Sequence, residues 1–320
     1  MFARVPAIAR RFDPAVAAAF GCIIALLLIG SLYSTSFLSP EYLLQQLQVA
    51  SFLGLIATGM MIVILLGHID LSVPWVMTAG AMMSTAAAGW GNGEWLAIPF
   101  GILCGAAFGV INGIGVAYLR IPSMIFTLGI NAVAQGLMVL RTGGFAPQDH
   151  ATRFMHFIAT GRSVMGIPNA LFVWFAIGAG AVFLLSRTSF GRSVYAIGNS
   201  ERAAYLSGSD TRRVLLLAFT LCGALAGLAG VLLAGYSTKA YQAMGDPYLL
   251  PAIAAVVLGG TNILGGRGTY LGTIAGVILI TLLQSILSVM QIEESGRQII
   301  YGVVIVAMLL LYGRERGHAR

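Results

Sequence analysis

The sequence predicts an all-α integral membrane protein with about ten transmembrane helices and both termini in the cytoplasm. Of the 320 residues, 58% are hydrophobic and only 9% are charged, whereas about a quarter of the residues in a soluble domain are charged. The apolar runs are long enough to cross a bilayer, which takes about 20 residues of helix. The basic residues are spread over short loops in the pattern that orients such helices.

The predicted spans are the apolar runs bounded by polar or turn-forming residues. They lie at residues 15–33, 50–67, 71–89, 96–118, 122–140, 167–186, 214–236, 248–264, 269–290 and 297–312. The first run follows Arg4, Arg10 and Arg11. We predict an uncleaved span there, because the run is long and no clear small-residue cleavage site follows it.

The distribution of positive charge sets the predicted orientation. With the N-terminus inside, thirteen of the 18 Lys and Arg residues fall on the inside, and cytoplasmic loops are enriched in these residues. The basic residues on the outside are Arg141, Arg153, Arg162, Lys239 and Arg297. An even number of spans then returns the C-terminus to the cytoplasm.

The most highly charged interior segment is the loop at residues 187–213, RTSFGRSVYAIGNSERAAYLSGSDTRR. Within it, Ser200 is a suitable N-cap, Glu201 to Ser207 form a short helix, and Gly208 stops that helix. A short helix on a loop between spans is a suitable binding site for another protein. The alternative is a solvated basic loop that only sets topology.

Two glycine-containing segments interrupt predicted spans. The first reads LGHIDLS at residues 66–72 and precedes Pro74, and the second reads LGGTNILGG at residues 258–266. Both follow similar apolar runs and descend from outside to inside, which indicates an internal repeat relating the two halves. Interruptions at corresponding places in two halves are typical of transport pathways. Ordinary cytoplasmic turns are the alternative.

Asp70 is the ionisable residue whose depth matters most. At mid-bilayer an aspartate costs about 2.5–3.5 kcal/mol on insertion scales, so a deep Asp70 would face a cavity or a partner and have a function. At the interface it would cap the helix that starts near Leu71, and we favour this structural role because the segment ends a span. His68 beside it suggests a proton relay or a pH sensor, although no other acidic residue lies within a predicted span to continue a relay.

Uncharged polar residues within the spans either join helices or line a polar path. Asn131 and Gln135 are four residues apart and share one face of the fifth span. Asn262 lies in the second interrupted segment. Glycines at the same spacing of four predict close helix packing. They are Gly101, Gly105, Gly109 and Gly113 in one span, and Gly223 and Gly227 in another.

The sequence lacks the motifs of several enzyme classes. No GxxxxGK[ST] phosphate loop occurs, so the chain does not hydrolyse ATP by that route. It also has no HExxH motif, no nucleophile elbow and no cysteine cluster. We therefore expect no catalytic residue and no metal site. Because the basic residues form no single patch, we expect no nucleic acid partner.

Four stretches carry a resemblance to a known family. They are GHIDLSV at 67–73, PSMIFTLGINAVAQGLMVLRTGG at 122–144, GRSVYAIGNSERAAYLSG at 191–208, and PAIAAVVLGGTNILGGRGTYLGT at 251–273. In order and spacing the chain resembles the membrane-spanning permeases of bacterial ABC importers for ribose, xylose and related monosaccharides. The resemblance covers about residues 50 to 312.

The resemblance implies a single transmembrane permease domain over residues 1–320, with a cytoplasmic coupling loop at about 187–213. It implies a place in the bacterial inner membrane, a second permease chain that is identical or related, and a periplasmic solute-binding protein. A separate ATP-binding cassette ATPase would bind ATP and Mg, so this chain itself needs no cofactor. The function implied is translocation of a ribose-like monosaccharide.

The resemblance also assigns site residues. The short helix looks like the coupling helix that docks on the ATPase, and the coupling residues are Ser200, Glu201, Arg202 and Tyr205. The residues expected along the translocation pathway are His68, Asp70, Asn131, Gln135 and Asn262.

Two departures from the family pattern lie near the expected pathway. The common GGIDLSVG reads GHIDLSVP here, with His68 and Pro74 in place of glycines, and GDPYLLPAI stands at 245–253 where many sugar permeases have GYELDAI. They leave open a polyol or a signal of the autoinducer-2 type as the solute. His68 and Asp70 also motivate a competing hypothesis, an ion-coupled secondary carrier.

Overall fold

The protein is almost wholly helical in its computed structural model, which describes residues 14–90 and 93–317. The helices are α1 (Pro14–Tyr33), α2 (Pro40–Leu65), α3 (Val73–Ala88), α4 (Gly93–Ala117), α5 (Ser123–Thr142), α6 (Arg153–Thr160), α7 (Asn169–Arg187), α8 (Ser189–Asn199), α9 (Glu201–Leu206), α10 (Thr211–Tyr236), α11 (Leu249–Leu258), α12 (Tyr270–Val289) and α13 (Glu294–Gly317). A short hairpin, β1 (Arg162–Val164) and β2 (Ile167–Pro168), lies between α6 and α7. The predicted all-α class is confirmed, and Arg4, Arg10, Arg11 and Arg320 lie outside the described residues.

Seven helices of the described ranges are long and apolar enough to cross a membrane. They are α1, α2, α4, α5, α7, α10 and α12, and each corresponds to a predicted span. Helix α2 begins at Pro40, well before the predicted start at residue 50. It does so because Ser39 accepts a hydrogen bond from the Tyr42 N–H, and because proline suits the first position of a helix.

The other three predicted spans correspond to α3, α11 and α13, which are not among the seven. Helix α3 has 16 residues and α11 has 10, against the about 20 that a straight crossing takes. The prediction of a span over 248–264 is wrong in its second half. The helix ends at Leu258, where Gly259 follows as the C-cap and Gly260 adopts φ +88°.

Non-helical backbone replaces the missing parts of both short helices. Residues 68–72 precede α3, and residues 237–248 precede α11 except for a single short 3-10 turn. The second segment contacts the beginning of α3, where the Gly245 N–H donates to Thr78 Oγ1 at 3.1 Å. A side chain at Gly245 would collide with the carbonyl oxygen of Pro74, at the start of α3. Glycine is therefore required where this loop crosses the beginning of α3.

The loops gather at two opposite faces of the helix bundle. One face contains residues 66–72, 118–122, 187–210 and 259–269, and we call it the arginine-rich face. Its loops are joined by the Gly266 N–H, which donates to the carbonyl of Leu65 at 2.9 Å, and by Asn199 Nδ2, which donates to the carbonyl of Gly266 at 3.4 Å. The two predicted interruptions, 66–72 and 258–266, thus lie side by side on this face.

The opposite face is covered by the segment between α5 and α7, which connects the predicted spans 122–140 and 167–186. It contains α6 and the hairpin, and Thr152 caps α6 by accepting a hydrogen bond from the Met155 N–H at 3.1 Å. The Ala151 N–H donates to the carbonyl of Thr238 at 2.9 Å. These bonds fasten the long loop to the end of α10.

The centre of the fold is α10, which packs closely against α4, α3 and α2. The contact with α4 is between backbones: a side chain at Gly105 would meet the carbonyl oxygen of Gly223, and a side chain at Gly223 would meet that of Gly105. A side chain at Gly227 would likewise meet the carbonyl oxygen of Gly101. Small residues let helices approach closely where lipid gives little drive for association. The predicted packing role of these glycines is confirmed.

We predict that Gly105→Ala destabilises the protein by about 1–3 kcal/mol, because its methyl group would overlap the backbone of α10. The matched control is Gly180→Ala on α7, where no atom lies within 4 Å of the added methyl group. The control should be neutral or slightly stabilising, since alanine favours helix. Thermal unfolding midpoints of the detergent-solubilised variants measure the difference. Equal midpoints for the two variants would contradict the backbone contact.

Candidate functional site

The loop between α7 and α10 is built from two short helices joined at Ser200. The predicted helix is present as α9, and Ser200 Oγ caps it by accepting a hydrogen bond from the Ala203 N–H at 3.3 Å. Gly208 takes φ +86°, a conformation that suits glycine after a helix end. Helix α8 was not predicted, although its amphipathic pattern was readable in the sequence. The cap of α10, Asp210, was not predicted either; it accepts a hydrogen bond from the Arg213 N–H.

Helix α9 is tied to the turn between α4 and α5. Arg120 Nη1 donates to Glu201 Oε1 at 2.5 Å. The Arg212 guanidinium lies 5.9 Å from the ring centroid of Tyr118, within the range of a cation–π contact. Arg120 itself has φ +58°, which is uncommon for a residue other than glycine. The turn is therefore shaped so that Arg120 reaches α9.

A depression of about 920 Å³ opens on the arginine-rich face beside α9. Its lining is Tyr118, Arg120, Glu201, Arg202, Tyr205, Gly208, Ser209, Asp210, Thr211, Arg212 and Arg213. Tyr205 and Leu206 on its rim are 68% and 76% exposed. The site residues predicted for this loop thus divide into two pairs: Ser200 and Glu201 bond within the chain, whereas Arg202 and Tyr205 are free at the surface.

The Glu201 carboxylate responds to two opposing effects. Partial burial raises its pKa, but the hydrogen bond from Arg120 and the charge of Arg120 together lower it by more, so the pKa of Glu201 lies below its usual value of 4.5. The carboxylate is therefore ionised over the physiological range, and α9 carries a charge that pairs with the α4–α5 turn.

Asp70 is fully enclosed by protein, with an exposure of 1%. Its Oδ1 accepts hydrogen bonds from the Ser72 N–H at 2.9 Å and from Ser72 Oγ at 2.6 Å, and Asn112 Nδ2 of α4 donates to it at 3.3 Å. These contacts agree with the structural role favoured from the sequence: Asp70 orders the chain just before α3 begins. The assignment of Asp70 to the translocation pathway stays a prediction.

His68 does not pair with Asp70. Its Nδ1 lies 3.2 Å from Ser123 Oγ, at the start of α5, and its ring is 6.2 Å from that of Phe219 on α10. The two residues that motivated a proton relay thus bond to different helices.

The extended segment before α3 runs along one stripe of polar side chains on α5. This stripe consists of Ser123, Thr127 and Asn131, four residues apart, and each accepts a hydrogen bond from a backbone N–H. The bonds run from Ile69 N–H to Ser123 Oγ (3.4 Å), from Leu71 N–H to Thr127 Oγ1 (2.9 Å) and from Trp75 N–H to Asn131 Oδ1 (3.3 Å). We call these bonds the α5 ladder. The sequence analysis identified Asn131 but missed Ser123 and Thr127, although the spacing of four was readable.

The remaining predicted pathway residues lie apart from one another. Gln135 continues the stripe of the α5 ladder by one more step, is exposed, and makes no hydrogen bond with any residue in 14–90 or 93–317. Asn262 instead closes a local turn on the arginine-rich face, where its Oδ1 accepts from the Leu264 N–H at 3.0 Å. Within the described ranges, no group of three or more His, Cys, Asp or Glu residues is placed to hold a metal ion.

Comparisons with known proteins place these features in a family context. The family model described as "Branched-chain amino acid transport system / permease component" matches residues 42–310. The ribose import permease protein of Escherichia coli (strain K12) is 31% identical over 302 residues, which is 92% of this chain and 93% of that protein. The ribose import permease protein of Bacillus subtilis (strain 168) is 36% identical over 287 residues, which is 89% of each chain.

Permeases named for other solutes match at comparable identity. The L-arabinose ABC transporter permease protein of Azospirillum brasilense is 32% identical over 297 residues, covering 91% of this chain and 85% of that protein. The autoinducer 2 import system permease protein of Salmonella paratyphi B is 31% identical over 306 residues, covering 94% and 86%. No solved structure matches the chain significantly.

We predict that Asp70→Ala destabilises the protein by about 1–3 kcal/mol, because the Ser72 N–H and hydroxyl groups, which donate to Asp70, would be left buried without their acceptor. The matched control is Asp70→Asn, which keeps an oxygen for the Ser72 N–H and should lose less. Thermal unfolding in detergent provides the comparison, and a rank order in which the asparagine variant is the less stable one would refute this role of Asp70.

The Arg120–Glu201 pair should stabilise α9 in a pH-dependent way. Both side chains are partly exposed, so we expect a coupling free energy of about 0.2–1 kcal/mol at neutral pH. Because the folded state lowers the pKa of Glu201, this contribution is present above the usual value of 4.5 and disappears as the pH falls through the lowered pKa.

A double-mutant cycle with Arg120→Met and Glu201→Gln measures this coupling, once at neutral pH and once well below the usual pKa of glutamate. A coupling free energy that persists in full at the lower pH would show that it does not depend on the charge of Glu201.

Proposed function

The chain belongs to the branched-chain amino acid transport system / permease component family of ABC importers, and we propose that the solute it moves is a monosaccharide of the ribose or arabinose type. As a member, it is a multi-pass membrane permease of a bacterial ABC importer and is not itself an enzyme. Importers of this kind work with an ATP-binding subunit and a solute-binding protein. The observation that carries the sugar proposal is similarity to ribose permeases along nearly the whole length of both chains.

The exposed face of α5 supports a translocation pathway beside that helix. Gln135 is a polar side chain within a span, and polar groups in spans usually face a partner or a water-filled cavity rather than lipid. Gly129 and Gly136 leave open space on the same helix, with no atom within 4 Å of an added side chain. We therefore assign this face to a cavity formed with a second permease chain.

Helix α9 is the element that we assign to ATPase docking. Tyr205 and Leu206 expose large apolar surfaces at the rim of a basic depression, and exposed aromatic side chains are typical of interface anchors. Arg202 beside them is exposed as well. Because Glu201 is bonded to Arg120, a displacement of α9 would pull directly on the turn that leads into α5. This connection would convert ATPase movement into movement of the pathway wall.

The proposed cycle uses the chain only for binding, orientation and movement. Solute delivered at the opposite face enters the cavity beside α5. Closure of the ATPases on ATP moves α9, and the movement passes through Arg120 to α5, which changes the side from which the cavity is open. The charge changes that a coupled ion would need are absent from this scheme, since His68 and Asp70 bond to separate partners. The family membership likewise favours the ATP-driven mechanism over an ion-coupled carrier.

The test is uptake by the complete complex, purified from native membranes and reconstituted in vesicles with ATP inside and the solute-binding protein outside. We expect ATP-dependent uptake of ribose or L-arabinose, and none when the ATPase is omitted. Uptake of autoinducer-2 in preference to both sugars would favour the second candidate, which the Salmonella relative motivates. Uptake of leucine alone, or uptake without ATP, would overturn the proposal.

Tyr205→Ala tests the coupling assignment in the same assay. We expect it to reduce both ATPase co-purification and uptake, because it removes an exposed anchor without disturbing the bundle. The matched control is Tyr241→Ala, an exposed tyrosine before α11 on the other side of the protein. Unchanged co-purification of the ATPase with Tyr205→Ala would remove α9 from the docking surface.

A further inference from the structure

The polar stripe on α5 contains one hydrogen-bond acceptor more than the α5 ladder uses. The stripe of polar side chains on α5 continues from Ser123, Thr127 and Asn131 to Gln135 at the same spacing of four residues. Exposure increases along it: Ser123 and Thr127 are buried, Asn131 is half-buried, and Gln135 is exposed. Only the first three accept a backbone N–H from the segment leading into α3. Gln135 is therefore an unused acceptor at the end of a regularly spaced series.

The donors of the ladder are held in a fixed array that lacks other partners. Ile69 and Leu71 belong to non-helical backbone, and Trp75 lies in the first turn of α3, where N–H groups have no partner within the helix. Asp70, Ser72 and Asn112 hold this backbone against α4. Because an apolar interior penalises an unpaired N–H group, α5 is favoured only in positions that present an acceptor to each donor.

The remaining contacts of α5 allow it to move as a unit. The helix packs mainly on α3 and α4, and 22% of its spanning window is buried, compared with 61% for α10. Its far end is held by polar contacts that a movement would have to exchange: Gln242 Nε2 donates to Thr142 Oγ1 at 2.9 Å, and Arg141 lies 3.8 Å from Asp149. Leu128, Val133 and Leu140 are exposed, and no atoms approach the open positions at Gly129 and Gly136. Its first residue is separated by only two residues from Arg120, which bonds to Glu201 of α9. Movement of α9 would therefore act on α5 along its axis.

Helix geometry allows one alternative position of α5 in which the same backbone donors again have acceptors. A step of four residues along an α-helix is a translation of about 6 Å and a rotation of about 40° beyond a full turn. After such a step towards the arginine-rich face, Thr127, Asn131 and Gln135 would stand where Ser123, Thr127 and Asn131 stand now. Each donor would again have an acceptor. Positions between the two would leave the donors unpaired, so the arrangement favours two discrete states.

We infer that α5 has two registers on the segment that leads into α3, one turn apart, and that Gln135 is a positioning residue that accepts the hydrogen bond of the Trp75 N–H in the second register. The inference rests on the proposed function, since the movement of α9 in the transport cycle drives the step. Gln135 acts through the backbone of α3 and need not contact the solute.

The first experiment measures the step directly by double electron–electron resonance on the reconstituted complex, with Cys22 and Cys104 replaced by serine. Spin labels at Leu140→Cys, the far end of α5, and at Leu217→Cys, near the start of α10, report movement along the axis of α5; both positions are exposed. Trapping with ATP and vanadate should shorten this distance by several ångström, at most about 6 Å. The control pair, Leu103→Cys on α4 with Leu217→Cys, should not change, because α4 and α10 are joined at their backbones.

The second experiment assigns the role of Gln135. Gln135→Leu should leave the unfolding midpoint and complex assembly unchanged, lower the maximal uptake rate about tenfold with the same KM, and abolish the shortening under vanadate. Gln135→Asn should restore both rate and shortening, because an asparagine already reaches the Trp75 N–H from position 131. Asn131→Leu should instead lower the unfolding midpoint, since it removes a bond present in this structure.

Two results would overturn the inference. One is an unchanged Leu140–Leu217 distance in a complex that takes up solute. The other is a Gln135→Leu variant with raised KM, unchanged maximal rate and normal shortening, which would make Gln135 a solute-contacting residue. A wild-type complex that takes up no sugar would instead contradict the proposed function, and the distance measurement on that complex would still test the two registers.

Discussion

The interior of the protein depends on how the backbone N–H and C=O groups of the non-helical segment before α3 are hydrogen-bonded. Membrane interiors tolerate non-helical backbone only where protein groups replace the missing hydrogen bonds. Here the replacements come from two sides: Asp70 and Ser72 bond locally, and the side chains of α5 supply acceptors from outside. The position of α5 is consequently linked to the shape of the segment before α3, rather than to apolar contact alone.

The same logic joins the surface to the interior. Helix α9 carries a paired charge, Arg120 lies in a turn with an uncommon backbone conformation, and α5 begins directly after that turn. Each link is a specific polar contact or a short stretch of chain. The arginine-rich face and the α5 ladder are therefore closely coupled. The α4–α10 pair has the opposite character, because backbone contact leaves no freedom to slide. The protein therefore combines a rigid centre with a peripheral helix, α5, that is little buried.

Hydrophobic pattern was enough to predict the helices, but local chemistry decided where they stop. The runs of α1, α4 and α12 are clear in the sequence, and Ser200 with Gly208 correctly bounded α9. The predicted span over 248–264 was extended past Leu258, although the glycine-containing interruption at 258–266 was readable and Gly260 takes a left-handed conformation there. The partners of Glu201 and Asn131 were also out of reach, since a single sequence gives spacing along a helix but not the donors that face it from another element.

The glycine contact between α4 and α10 has a consequence for how such proteins diverge. Where two side chains touch, a larger residue on one helix can be offset by a smaller one on the other. At Gly105 and Gly223 the neighbour of each is backbone, so no second substitution can make room. Evolutionary change of the solute is then easiest on elements outside this pair, and α5, with open space at Gly129 and Gly136, is one span that can accept it.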